Sequence, residues 1–311
     1  MTTGTPVTMS DDATVPPAPP ARAAQRQVAE PLGFSWKKFA AYAVLVLFAL
    51  IYLYPFFIQI AASFKDDPQA TAHPLTPPNP FNLTAWKRML GFSSDSSVPI
   101  LRWLRNSVVV TVIVTVSRVF LDSLAGYALS RLKFRGRGFL FASVLAVMSV
   151  PGVALLLPKF LIVTRLGIYD TYSAMILPLI VDAAGVFIMK QFFDTISVSI
   201  EEAARIDGAG AFRTFWSVIL PMARPALITL TILSFQGSWN EFSHFLVTTS
   251  SPSKKTLVTG LASLTSGELG SGTQFPLKMG AALLTTIPVA LLFFAFQRHF
   301  VRGATEGGVK G

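Results

Sequence analysis

The stretch SVVVTVIVTVSRVFLDSLAGYALSRLKFRGR (Ser107–Arg137) decides the fold. Its first part, Ser107 to Leu129, is predominantly apolar. At ~1.5 Å per helical residue it is long enough to cross the ~30 Å hydrocarbon core of a bilayer. Its end carries Arg131, Lys133, Arg135 and Arg137, four cations in seven residues. Another apolar block follows at once, so the basic segment is a very short loop between two spans. Cations accumulate in short loops on the cytoplasmic side, and that orients the pair.

Outward from this stretch, similar blocks run over Phe39–Ala62, Phe139–Pro158, Tyr172–Phe192, Pro221–Val247 and Leu277–Phe296. The expectation is an all-α, polytopic membrane protein with six transmembrane helices. Parity from the basic loop puts both termini, and the segment between spans four and five, in the cytoplasm. Pro55, Pro151, Pro158 and Pro178 lie inside the blocks. A proline in lipid frees backbone groups that neighbouring helices must cover, so these predict a packed bundle.

Composition agrees. Only 14% of the 311 residues are charged and 52% are apolar, whereas soluble domains carry roughly 25% charged residues. The net charge of +10 is spread between the apolar blocks and forms no dense basic tract. It reads as loop charge at a membrane, with no nucleic-acid partner. The absence of Cys excludes disulfides, thiol nucleophiles and thiolate metal sites. Residues 1–35 are rich in Pro and Ala with no apolar periodicity, and are expected to form a disordered cytoplasmic tail. They contain no apolar core of a signal peptide. The remainder, 36–311, holds all six apolar blocks.

Two long segments fall on the outer side, about 63–105 and 248–276. In the first, Leu83–Leu90 places Trp86 and Met89 on one helical face beside Lys87 and Arg88, predicting an interfacial helix. The second is rich in Ser, Gly and Thr and reads as a flexible loop or as one that contacts a partner.

Residues 198–221 are more ordered in sequence than a connector requires. Ser199 and Glu202 have the S-x-x-E spacing of a capping box, predicting a short helix through Ala203, Ala204, Arg205 and Ile206. Gly208 suits the left-handed end of that helix, and Asp207 can cap the next one. Phe212, Phe215, Trp216 and Ile219 then recur at i, i+3, i+4 and i+7, with Arg213, Thr214 and Ser217 opposite them. That is an amphipathic helix, closed by Leu220-Pro221. By physics alone the helix–turn–helix is also consistent with a hairpin lying in the headgroup region.

The string Glu202-Ala203-Ala204-x3-Gly208-x11-Leu220-Pro221 resembles the EAA motif of bacterial ABC importer permeases, with Val218 where that family usually has Ile. Asn106-Ser107, Gly126–Gly136, Trp239-Asn240-Glu241-Phe242, Thr256-Leu257 and Gly260-Leu261 are similar to carbohydrate-type permeases. The ending, Phe300–Gly303 with Gly308–Gly311, is similar to the maltose-permease G-subunit group. The resemblance covers about 36–311. It implies a type I importer permease (MetI-like) bundle, a multi-pass protein of the cell membrane forming half of a translocation pore for a carbohydrate. It also implies a second permease subunit, a cytoplasmic ABC ATPase dimer and an external solute-binding protein as partners.

On that resemblance 198–221 is a coupling helix that docks on the ATPase. Glu201, Glu202, Ala203, Ala204, Arg205, Asp207, Gly208, Phe212, Leu220 and Pro221 are its candidate residues. The segment 248–276 would reach the binding protein. The chain has no phosphate-cradling G-x4-G-K-[ST] loop, so ATP and Mg belong on the partner ATPase and no cofactor is expected here. Gly267–Gly272 has no flanking strand and helix to make it a nucleotide site.

Within the spans, Arg118 and Asp122 stand at i, i+4 and can pair on one face. A charge at the bilayer centre costs about 2.5–3.5 kcal/mol even on the lenient scale. The two therefore face the bundle, as an ion pair or along the solute path. Asp182, Asn240 and Glu241 are further candidates for that path, and His244 is equally ambiguous. His73, His244 and His299 lack metal-ligand spacing, so neither a metal site nor a catalytic site is expected. The alternatives are a type I permease for a non-sugar solute and, more remotely, an intramembrane enzyme or a channel. An enzyme is opposed by the lack of H-E-x-x-H, of Cys and of a Ser/His arrangement. A channel is opposed by the coupling-helix string.

Overall fold

A computed structural model describes residues 36–92, 98–265 and 274–307. The expected tail over 1–35, the stretch Gly267–Gly272 and the final Gly308–Gly311 lie outside these residues. The chain divides into two compact units, Met1–Tyr52 and Leu53–Gly311. In the first, the described part is the start of helix α1 (Trp36–Ser63), every residue of which up to Tyr52 is exposed. Leu45, Leu47, Phe48, Leu50 and Ile51 point outward in all directions. A helix apolar all round belongs in lipid.

The second unit is built on α4 (Ile100–Arg131). Before it come two short helices, α2 (Asp67–Ala72) and α3 (Thr84–Met89). After it come α5 (Arg137–Met148), a 3-10 turn (Gly152–Leu155) and α6 (Leu156–Arg165). Then follow α7 (Tyr172–Ile176), α8 (Ala183–Thr195), α9 (Val198–Ile206), α10 (Ala211–Thr214) and α11 (Leu220–Met222). The chain closes with α12 (Arg224–Trp239), α13 (Ser243–Thr248), α14 (Leu257–Thr265) and α15 (Phe275–Gly307). Among the described residues four spans are long and apolar enough to cross a membrane, and two bent helix pairs bring the number to six.

Spans three, four and five are not the unbroken helices that their sequences suggest. Span three bends by 103° between α5 and the following turn. Pro151 sits at that bend, where a proline lacks the N–H that would continue the helix and disfavours helical geometry in the residue before it. Span four is interrupted by a 3-10 turn at Leu177–Leu179 and by Asp182 in extended conformation (φ −129°, ψ 128°). Span five begins with an 81° bend between Ala211–Met222 and α12, and stops at Asn240. Pro221 lies just before this 81° bend.

Two cores occupy opposite ends of α4. At its start Ile100 and Trp103 pack with Met89, Trp239, Leu257, Leu264, Leu277 and Ala281. This corrects the expected interfacial role of Leu83–Leu90. Met89 is buried in the bundle, in a space that exists because Gly280 has no Cβ. At the other end Tyr127 packs with Met189, Phe193, Ile196, Phe215, Ile219 and Leu230. Gly126 lets α4 and α8 touch here, since a Cβ would lie 2.8 Å from both the Met189 Cβ and the Lys190 N. Close approach through small residues is how helices associate where lipid removes the hydrophobic drive.

Candidate functional site

The hairpin α9–α10 is held from beneath by one arginine. Arg131, at the end of α4, places its Nε 3.1 Å from the Glu201 carboxylate, and Glu201 is only 3% exposed. Its Nη2 also donates to the carbonyls of Phe193 and Ile196, at the end of α8. Helix ends leave carbonyls without intrahelical partners, and a cation there completes them. Beside it, the Ser130 hydroxyl donates to Asp194 (2.5 Å) and Arg137 donates to the Ser130 carbonyl (2.9 Å). Two of the loop cations that orient the sequence are thus structural bolts, while Lys133 and Arg135 remain exposed.

The expected capping box does not form. α9 begins at Val198 with Ser197 as its N-cap, so Ser199 is already inside the helix, bonded to the Ser197 hydroxyl at 2.7 Å. The end of α9 is as its sequence suggests. Gly208 has φ +80°, its N–H reaches the Arg205 carbonyl, and the Ala209 N–H reaches the Ala204 carbonyl. These two bonds make a Schellman turn, which explains the glycine four residues beyond Ala204. A Cβ on Gly208 would meet nothing, so the requirement is the left-handed backbone itself. Asp207 closes α9 and does not cap the next helix, whose N-cap is Gly210.

The predicted aromatic face splits in two. Phe215 (2% exposed) packs against Tyr127 with ring centroids 5.0 Å apart, and Ile219 is buried beside it. Phe212 (70% exposed) stacks on Trp216, and both face outward. The cause is a π-helical turn over Phe215–Ile219, which widens the helix and changes its angular register. The hairpin therefore projects Glu202, Ala203, Arg205, Ile206, Asp207, Phe212 and Trp216 from a base that is locked by Arg131, Ala204 and Phe215. Leu220 and Pro221 lie in the short helix α11, just before the 81° bend at Ala223 that leads into α12.

Among the described residues no ion pair joins Arg118 to Asp122, so the expected direct contact is corrected. Arg118 Nε donates to the Leu179 carbonyl (2.6 Å), and Asp122, fully buried, accepts the Asp182 N–H (3.0 Å). Leu179 ends the upper piece of span four, and Asp182 is the N-cap of the lower piece, its own carboxylate accepting the Gly185 N–H at 3.2 Å. Each member of the i, i+4 pair thus satisfies one backbone group freed by the break. Glu241 stands apart from these three and caps α13 by accepting the His244 N–H (2.8 Å), while Asn240 is the exposed C-cap of α12. His244 is buried, with a ring nitrogen 3.1 Å from the Ala174 carbonyl.

The segment after span five is not a loose loop as far as Thr265. Trp103 Nε1 donates to the Pro252 carbonyl (2.8 Å), and Asn106 donates to the carbonyls of Ser253 and Lys255 (2.9 Å each). The Leu257 N–H donates to Ser107 (2.7 Å), and Gly260 lies against the Trp103 indole, where a Cβ would overlap the ring. Asp170 accepts the N–H groups of Ser250 (3.0 Å) and Ser251 (3.1 Å) and the Ser251 hydroxyl. Burial pushes the Asp170 carboxyl up, but these bonds and Lys254 outweigh it and hold it below the usual carboxylate range. Arg131, Trp103 and Asp170 were not identifiable as site residues from sequence; the adjacency of Asn106-Ser107 to Thr256-Leu257 was signalled only by both patches matching one family.

Bent apolar spans, a break stapled by charges and a surface hairpin define a polytopic helical membrane protein. The sequence profile of the family described as "Binding-protein-dependent transport system inner membrane component" matches residues 122–306. The chain is 36% identical over 273 residues to the inner membrane ABC transporter permease protein YcjP of Escherichia coli, covering 87% of this chain and 95% of that one. It is 36% identical over 209 residues to the arabinooligosaccharides transport system permease protein AraQ of Halalkalibacterium halodurans (67% and 74%). It is 32% identical over 268 residues to the sn-glycerol-3-phosphate transport system permease protein UgpE of Yersinia pestis (85% and 94%). The chain belongs to the binding-protein-dependent transport system inner membrane component family. A solved bacterial ABC transporter involved in the import of the acidic polysaccharide alginate shares the fold, with a TM-score of 0.73 at 24% identity over 86% of this chain and 99% of that one. This is the MetI-like permease bundle.

Proposed function

We propose that this chain forms half of the translocation path of an ATP-driven importer for a carbohydrate, and that the α9–α10 hairpin docks on a separate ATPase. The observation that carries the docking reading is the asymmetry of the acidic pair. Glu201 is consumed internally by Arg131, whereas Glu202 stands exposed next to Ala203 and one helical turn before the exposed Ile206. A free acid amid apolar side chains on a preorganised element is a low-entropy docking surface. Both termini and this hairpin lie in the cytoplasm by the basic-loop argument. A second permease subunit completes the pore within the lipid bilayer, and an external binding protein delivers solute near 248–276. ATP and Mg stay on the ATPase, and this chain binds no cofactor and no nucleic acid.

The carbohydrate assignment is supported by relatives named for arabinooligosaccharides and for polygalacturonan/rhamnogalacturonan. A second reading, a phosphorylated polyol, is supported by the sn-glycerol-3-phosphate relatives. The test of docking is co-purification of the ATPase with the Glu202→Arg, Gly208→Asp double variant. Loss of the ATPase, with the second permease subunit retained, supports the reading; an intact complex with intact transport contradicts it. Ligand binding by the cognate external protein, screened against oligosaccharides and glycerol phosphates, separates the two solute classes.

A further inference from the structure

The path from the hairpin into the membrane contains two interruptions. One is the break at Ile180–Asp182 in span four, and the other is the bend at Ile196-Ser197 between α8 and α9. Backbone joints of this kind are where a chain hinges. Each is spanned by charged side chains of α4. At the first, Arg118 holds the Leu179 carbonyl above the break and Asp122 holds the Asp182 N–H below it. At the second, Arg131 holds the Phe193 and Ile196 carbonyls on one side and Glu201 on the other. The signs suit the helix they clasp, anions at the N-terminus of α8 and a cation at its C-terminus. Between the clasps Gly126 seats α4 directly on α8, and Ser130 bonds Asp194.

We infer that α4 is a splint, and that Arg118, Asp122 and Arg131 are positioning residues that make α4, α8 and α9 move as one rigid body. The inference rests on the docking reading above and deepens it. A push received at the hairpin is delivered along α8 to the centre of the membrane instead of being absorbed at either joint. Arg118 commits its Nε and Asp122 its Oδ1 to backbone, which gives both a structural task at the break. An arginine–backbone clasp of this geometry is specific, since a lysine offers a point charge and not a fork.

The test uses the full complex of this chain with its second permease subunit and ATPase, in lipid nanodiscs. The chain has no native Cys, so a Ser130→Cys, Asp194→Cys pair can be bridged by a short bis-thiosulfonate reagent. If α4 and α8 stay together through the cycle, bridging leaves ATP hydrolysis within about twofold of the same variant before bridging. Loss of hydrolysis on bridging, recovered with reductant, means the helices separate and overturns the splint. In parallel, Asp122→Ala and Arg131→Ala are expected to retain the ATPase but to lower hydrolysis by about tenfold, a change of ~1.4 kcal/mol. Arg131→Lys is expected to recover only part of this. Should the alanine variants fail to assemble, the bridging result alone decides. Wild-type hydrolysis in both alanine variants also overturns the splint. The Glu202→Arg, Gly208→Asp variant serves as the separate control: if it keeps its ATPase, the docking reading fails, whatever the bridge shows.

Discussion

Arg118 and Asp122 show what a residue spacing can and cannot reveal. Their i, i+4 separation places them on one face of α4, and the cost of charge in lipid turns that face inward; both facts follow from sequence. Their partners do not, because these are backbone groups of another helix exposed only by its break. The consequence is a swap experiment with a definite sign. An ion pair survives exchange of its members, whereas this arrangement does not, since Arg at 122 cannot accept the Asp182 N–H and Asp at 118 cannot donate to the Leu179 carbonyl. The double swap Arg118→Asp, Asp122→Arg is expected to transport no better than either single variant. Recovery of transport in the double variant contradicts the stapled break. Gly208→Ala is expected to cost about 1 kcal/mol by forcing a Cβ into the left-handed region. It reads out as weaker ATPase co-purification with the rest of the chain still folded.

At the scale of elements the apolar blocks were legible as spans, yet two of the six carry bends and a third a break that hydropathy cannot register. Pro151 and Pro221 mark two of them, but Pro55 lies inside an unbroken helix, so a proline alone does not announce a break. The hairpin was legible as helix–turn–helix, and the Schellman turn at Gly208 was too. The π-helical turn that splits its aromatics was not, because periodicity assumes the ordinary α register. The segment after span five was the least legible, since its order comes from long-range bonds to Trp103, Asn106 and Asp170. Gly260→Ala is expected to lower thermal stability by roughly 1–3 kcal/mol through overpacking against Trp103. The Asp170 carboxyl has a depressed pKa in the fold, so its contribution is full above its unfolded value of about 3.9 and fades as pH falls through the folded value. The Tm difference between wild type and Asp170→Asn should therefore be constant from about pH 5 upward and shrink in more acidic buffer. An unchanged difference at the acid end would mean that Asp170 does not hold Ser250 and Ser251.

For the whole molecule, the fold class followed from the apolar blocks and the short basic loop, and the family from the EAA string that the hairpin carries. What the chain does with that hairpin depends on a partner. Its projecting side chains, Glu202, Ile206 and Phe212, are the ones that the chain itself leaves uncovered, while their neighbours Glu201, Ala204 and Phe215 are buried. Ile206, 86% exposed at the tip of α9, is the most telling of these. A photoreactive p-benzoylphenylalanine at position 206, activated in membranes containing the assembled importer, tests the docking surface directly. The predicted result is a covalent adduct between this chain and the ATPase, lost when Gly208 is also changed to Asp. Adducts to lipid alone, or an undiminished ATPase adduct in the Gly208→Asp background, would contradict a docking role for this turn.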